Sequence, residues 1–309
     1  MAFLSCKKDH SKDNNPVSKL QKVAFKMGFA KSTGSFQTNS LIINSTTADT
    51  SLTNHIDVLY YMVFDSVGNN VHNITQLASD TAFGHYTDNL HSGKYTVAIA
   101  GGKTGLMISS GSLTQQYLFY GVIYPTVSGS YLPGPFDQDA FFYRSAITVG
   151  NTSSSQNISL SRIVSKLIVN INDAIPTNTK QAQLTLSYYA NKYFVGDGST
   201  GTYHKPSDAS TTYAYTYDIT STDWGKTNYQ LSTLFLYNNS PMTVDLWFAD
   251  NSSPGRIEGE KTISNITGQA NKVSKLSGNL FGGAGVTSIG GFKVTVDSLW
   301  NTPVIRTFP

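Results

Sequence analysis

The sequence predicts an all-β protein, and three observations carry that expectation. Of 19 acidic residues only Glu258 and Glu260 are glutamate, whereas helical surfaces are usually built from Glu, Lys, Ala and Leu. Tyrosine (18) and phenylalanine (16) are abundant beside many Thr, Ser and Asn and 26 Gly, the residue types of strands and turns. No segment has the pattern of a long amphipathic helix, and Thr114 to Tyr120 is the one short stretch that could be helical.

The elements follow in order. Val23, Phe25, Met27 and Phe29 alternate with Ala24, Lys26 and Gly28, the period-two pattern of a strand with one buried face. Ile56 to Phe64 reads as a long strand ended by the turn Asp65-Ser66-Val67-Gly68-Asn69-Asn70, with Val71 to Leu77 returning as its hairpin partner. The turn at His91-Ser92-Gly93-Lys94 leads into Tyr95 to Ala100, which stops at Gly101-Gly102. Gln116 to Ile123 and Ala140 to Val149 are further strands, separated by the Pro/Gly-rich loop Tyr131 to Pro135. The polar stretch Gly150 to Asn157 suits a domain junction. Beyond it, strands are expected at Ser165 to Asn172, Ala182 to Tyr188, Tyr213 to Ile219, Tyr229 to Tyr237, Thr243 to Ala249, Arg256 to Ile266, Asn271 to Leu280 and Gly291 to Asp297. Many short strands with frequent turn signals mean β-sandwiches or barrels. At 309 residues the chain is long enough for two of them, with boundaries expected at 1–18 for a signal remnant and tether, 19–157 for the first domain and 158–309 for the second.

Composition narrows the function classes. Lys plus Arg is 22 against 19 acids, a formal charge of +3, too small for a polyanion-binding surface, so nucleic acid is not expected as a partner. Charged residues make up 13% of the chain but hydrophobic ones 39%, which argues against disorder. A single thiol cannot form an internal disulfide. No stretch of about 20 apolar residues is present to form a transmembrane helix. That one thiol is Cys6, where the apolar residues Met1 to Leu4 and the small Ser5 give way to Lys7-Lys8-Asp9. Bacterial lipoprotein signals end in this way, so Cys6 is expected to carry a diacylglyceryl group, and the segment before it is set aside from fold reasoning.

No constellation for catalysis emerges. Gly101-Gly102-Lys103-Thr104 looks like the end of a phosphate-binding loop, but Val97 stands where that loop needs its first glycine. Gly282-Gly283-Ala284-Gly285 lacks the dinucleotide-binding spacing. His85 and His91 are six apart, too weak a spacing for a metal site. Glu258 and Glu260 make a poor glycosidase pair, and there is no GxSxG elbow. The expectation is therefore a non-enzymatic protein with no catalytic residue, metal or cofactor. Trp224, Trp247, Trp300 and the run Tyr213-Ala214-Tyr215-Thr216-Tyr217 could stack on sugar rings or serve as core and cross-strand pairs.

Several motifs, taken in order, carry a resemblance. Tyr60-Tyr61-Met62-Val63-Phe64-Asp65 with its Gly-Asn turn, then Gly93-Lys94-Tyr95-Thr96-Val97-Ala98, resemble the "YxFD-x-x-G" and "pGxYtvva" strands of the Bacteroidetes fimbrillin-associated anchor family and its fimbrillin relatives. Leu160-Ser161-Arg162-Ile163-Val164-Ser165-Lys166 is similar to that family's "L-x-R-x-x-[AS]-K" segment, and Asn271 to Phe281 and Val294 to Trp300 resemble its closing strands. The resemblance implies two tandem transthyretin-like β-sandwich domains. It also implies an anchor or accessory lipoprotein of a fimbrium at the outer membrane and cell surface, whose partners are other fimbrial subunits bound by strand exchange and the membrane reached through a lipid. The first strand, carrying Val23, Phe25, Met27 and Phe29, is the piece such proteins remove or retain. Polymerising stem subunits of this kind are cut after an early arginine, and here no Arg precedes Arg144, which favours retention. The alternatives are a surface lipoprotein that binds host or surface glycans, or a polymerising or tip fimbrillin subunit.

Overall fold

The computed structural model describes residues 19–29, 50–123, 131–187, 190–201, 212–236, 241–250, 257–281 and 293–297. Cys6, His10, His204, Trp300 and the glycines around 283 lie outside them. The first half comprises β1 (Gln21–Phe29), α1 (Thr50–His55), β2 (Val58–Phe64), β3 (Asn70–Leu77), β4 (His85–Leu90), β5 (Gly93–Gly102), β6 (Leu106–Ile108), β7 (Tyr117–Ile123), β8 (Tyr131–Gly134), β9 (Ala140–Val149) and β10 (Ser154–Arg162). The second comprises β11 (Val164–Ile171), β12 (Thr179–Ser187), β13 (Lys192–Phe194), β14 (Thr200–Gly201), β15 (Thr212–Asp218), β16 (Tyr229–Leu236), β17 (Met242–Asp250), β18 (Ile257–Ile266), β19 (Val273–Gly278) and β20 (Lys293–Asp297). The chain is all-β, as its composition predicts.

Seven strands form one sheet in the order β3-β2-β5-β9-β10-β1-β4. β10 pairs with β9 only at Ser161 and Arg162, and with β1 along Ser154 to Leu160. The sheet therefore folds over at β10, and its two parts face each other across a core that includes Phe25, Tyr61, Val97, Phe141 and Leu160. The remaining strand edges are tied by side chains: His72 Nδ1 on β3 lies 2.8 Å from Asp88 Oδ2 on β4, and the Gln76 amide donates to the His85 carbonyl at 2.8 Å.

β2 is buried on both faces. Leu59, Tyr61 and Val63 enter that core, while Val58, Met62 and Phe64 enter a second one, which is why Val58 to Phe64 reads as a continuous apolar run rather than an alternation. The second core is closed by a sheet ordered β14-β13-β7-β6, with β8 on β7. It draws strands from both halves, and Ile163, Val164, Ala190 and Leu236 pack into the same cluster. Two four-stranded sheets, β16-β11-β19-β20 and β15-β12-β17-β18, complete the second half around a core built on Leu167, Val169, Leu184, Leu246 and Phe248.

Two local expectations change. Tyr117 to Ile123 is strand β7, in line with the strand expected over Gln116 to Ile123; the helical alternative for Thr114 to Tyr120 is not adopted, and Leu118 and Tyr120 enter one core at the period of a strand. The Pro/Gly-rich loop contains β8, where Pro133 sits opposite Gly121 on an edge strand that tolerates a missing N–H. Within the polar stretch Gly150 to Asn157, residues from Ser154 on already belong to β10, which continues unbroken to Arg162.

Candidate functional site

Three places combine sequence motifs with distinctive geometry. The first is β1 and its slot. β1 runs parallel to β10 from Val23 opposite Ser154 to Phe29 opposite Leu160, and antiparallel to β4 from Gln21 opposite Leu90 to Lys26 opposite His85. It is thus an interior strand contributed by the start of the described chain. Val23, Phe25, Met27 and Phe29 all point into the core, each no more than 4% exposed. Phe25 meets Tyr61 at 5.1 Å between ring centroids and Phe29 meets Phe141 at 4.7 Å. Each such side chain contributes roughly 1.5–3 kcal/mol on burial, so the four together match the whole net stability of a typical domain, about 5–15 kcal/mol. Without β1, the chain would leave β10 and β4 with open edges and the core with a trough.

The second is a polar joint between the halves, made by the Arg of the Leu160 to Lys166 motif. Arg162, 8% exposed, donates from Nε to Asp139 Oδ1 at 2.7 Å and from Nη2 to Asp139 Oδ2 at 3.1 Å. Its Nη1 reaches Asn271 Oδ1 at 3.2 Å, and its guanidinium lies 5.1 Å from the centre of the Phe141 ring. The next backbone N–H, of Ile163, donates to the Ala140 carbonyl. The motif's Ser165 is fully buried and donates to the Gln269 carbonyl. Arg and Ser in the motif therefore fasten the start of the second half to its neighbours. Its Lys166 is left at the third place.

That place is a groove of about 670 Å³ between β15 and β16, the edge strands of two sheets. Its lining includes Tyr213, Tyr215 and Tyr217 from β15, Thr233 from β16, Lys166 from β11 and Asp137 from the segment before β9. Period two puts the three tyrosines on one face of β15, where their rings pack on the second-half core. Tyr215 Oη donates to the Leu234 carbonyl at 3.2 Å and Tyr217 Oη to the Ser232 carbonyl at 3.1 Å. Burial pushes the Tyr217 phenol up to about 12. The tyrosine run is thus partly core, as one of its two readings has it, with its polar tips at the groove.

The other sequence candidates are explained by packing. In the phosphate-loop lookalike, Lys103 Nζ pairs with Asp57 Oδ1 at 3.1 Å, and the Thr104 N–H and hydroxyl both donate to Asp57 Oδ2. Gly101 and Gly102 are there because a Cβ would lie 2.8 Å from Leu59 Cδ2 or from Tyr120 Oη respectively. Trp224 donates its N–H to the Thr179 carbonyl at 2.8 Å, and Lys180 Nζ lies 4.9 Å from its ring centre. Trp247 is half-buried on β17, opposite Gln183 and Glu260. Glu258 accepts from the Thr179 hydroxyl. No group of three or more His, Cys, Asp or Glu able to hold a metal occurs among the described residues, and none of their helices is long and apolar enough to cross a membrane. Asp139 and the groove face of Lys166 were not legible as sites, since only tertiary contact brings them to the tyrosines.

A family described as one of unknown function (DUF6562) matches residues 126–307, more than half of the chain. The protein belongs to this family. That description assigns no activity. A candidate cell adhesion protein from Bacteroides eggerthii is similar at a TM-score of 0.51 and 12% identity, over 93% of this chain and 98% of that one. A candidate adhesin from Bacteroides ovatus is similar at 0.50 and 12% identity, over 90% and 92%. The fimbrial anchor protein Mfa2 from Porphyromonas gingivalis is similar at 0.49 and 14% identity, over 84% and 91%. At these identities the likeness is one of fold. No curated protein matches the sequence.

Proposed function

We propose that this DUF6562 protein is a non-enzymatic cell-surface subunit of a fimbrium, an anchor or accessory component that keeps its first strand and assembles with neighbours by strand exchange. One observation carries the reading: β1 is an interior strand placed between β10 and β4, joined to the rest of the first half through a long intervening segment. A slot of that kind accepts any extended segment that supplies main-chain hydrogen bonds and four apolar side chains at alternate positions. The lack of arginine before Arg144 supports retention of β1 rather than its release by an arginine-specific cut. We further propose two domains, 19–157 and 158–309, with residues 1–18 as a tether lipidated on Cys6. Several acyl chains on one cysteine hold a protein at an outer membrane where one would not.

The test is fractionation and electron microscopy of cells producing the wild-type chain or Cys6→Ala. The proposal expects wild type in the outer-membrane fraction, and Cys6→Ala released from it with fimbriae shed or shortened. A variant that stays membrane-bound with unchanged fimbriae rejects the anchor role.

A further inference from the structure

We propose that the groove between β15 and β16 binds a neutral saccharide. This inference is independent of the strand-exchange reading, because the groove, lined by second-half strands together with Asp137 and Asp139, shares no residue with the β1 slot.

Three features point to that ligand class. First, the groove has the volume of a small-ligand site, about 670 Å³ against the usual range of roughly 300–1,000 Å³. Its lining also combines aromatic bodies with many hydrogen-bonding groups. Tyr213, Tyr215 and Tyr217 offer ring surface, and Thr216, Ser232 and Thr233 sit beside them. Tyrosine presents a large apolar face with few torsions to freeze. Two of the three rings are further pinned by their hydroxyl bonds to β16, so little ordering remains for a ligand to impose.

Second, the charges balance. Both carboxylate oxygens of Asp139 are held by one edge of Arg162, Nε and Nη2. The other two charged lining residues, Lys166 and Asp137, join no ion pair among the described residues. One positive and one negative group give no net field to draw a polyanion or a polycation. Together they supply the donors and the carboxylate acceptor that recognise vicinal hydroxyls. Asp137 is an exposed residue whose carboxyl is partly desolvated, which raises its pKa from the ordinary value.

Third, an added β-strand is disfavoured here. An incoming peptide would need the outward carbonyls of β16, and those of Ser232 and Leu234 already accept the Tyr217 and Tyr215 hydroxyls. Side-chain hydroxyls thus cap an edge that would otherwise recruit backbone.

The experiment is an oligosaccharide array followed by calorimetric titration with the full chain. Its probes are neutral gluco-, galacto-, manno- and N-acetylglucosamine trisaccharides, an oligogalacturonate, and an alternating Val/Thr hexapeptide. Binding of at least one neutral trisaccharide is expected, weakened roughly tenfold by Asp137→Asn, as for loss of one charge-assisted hydrogen bond. Tyr213→Ala should weaken it similarly, while Trp247→Ala should leave it unchanged. Thermal unfolding of each variant establishes that it is folded; if Tyr213→Ala is not, Lys166→Gln replaces it and must weaken binding. Three results overturn the proposal: no neutral saccharide bound, binding indifferent to the groove variants, or preference for the oligogalacturonate or the hexapeptide.

Discussion

Arg162 and Asp139 form a two-pronged ion pair, with N–O distances of 2.7 and 3.1 Å and side chains only 6% and 18% exposed. The pair sits where β10 ends and β11 begins, so it fixes the direction in which the second half leaves the first. Lysine cannot replace this arginine, because a single ammonium cannot meet both carboxylate oxygens and Asn271 in one plane.

Breaking the pair from one side leaves the other charge buried. Arg162→Met and Asp139→Asn should therefore each lower stability by about 3–5 kcal/mol. Denaturant unfolding measures this, and the double variant should lose less than the sum of the two.

Truncation in the β1 slot gives a second outcome. Phe25→Ala removes a ring that is 2% exposed and packed at a tilt against Tyr61, and should cost about 3–5 kcal/mol. Lys22→Ala, on the exposed side of the same strand, should change stability by less than about 0.5 kcal/mol. The contrast between the two, read from chemical denaturation, separates core packing from strand propensity.

The turn after β2 predicts a backbone effect. Gly68 has a φ of 89°, which L side chains adopt only with strain, although a Cβ there would clear Leu113 at 3.6 Å. Gly68→Ala should cost about 1–2 kcal/mol through conformation alone. Thermal unfolding would detect it, and Gly68→Asn should recover part of the loss because asparagine tolerates this region.

Acid titration singles out Asp223. Its carboxylate pairs with Lys226 Nζ at 2.8 Å and accepts from the Thr220 N–H and hydroxyl. These contacts depress its pKa from 3.8 to about 2. A depressed folded-state pKa gives stability that is fully present above the unfolded value of 3.8 and disappears as the pH falls through 2. Unfolding midpoints followed from pH 5 to pH 2 should decline less steeply in Asp223→Asn than in the wild type.

Much of this fold is legible in the sequence because local chemistry dictates it. Phe64-Asp65-x-x-Gly68 can be read as a strand end and turn: Phe64 is fully buried, Asp65 Oδ1 accepts the N–H groups of Val67 and Asn69, and Gly68 supplies the left-handed residue. The alternation of Val23 to Phe29 likewise announces a half-buried strand. β10 was hidden because its first four residues, Ser154 to Asn157, are polar, and only Ile158, Leu160 and Arg162 turn inward. Its parallel pairing with β1, some 130 residues earlier in the chain, leaves no local trace. The groove was hidden for a related reason. The tyrosine run shows its period, but β15 and β16 belong to different sheets, and Asp137 arrives from the other half of the chain.

The most direct test of the account is strand exchange at the β1 slot. A protease site placed between residues 30 and 49 would let the folded chain be cut without touching β1 or α1. After cutting, a labelled peptide of residues 19–29 in excess should enter the slot one per molecule and displace the resident strand. The same peptide with Phe25→Asp should stay out. Failure of the native peptide to enter, or equal uptake of both peptides, would contradict the claim that the slot holding β1 recognises an added strand through four buried side chains.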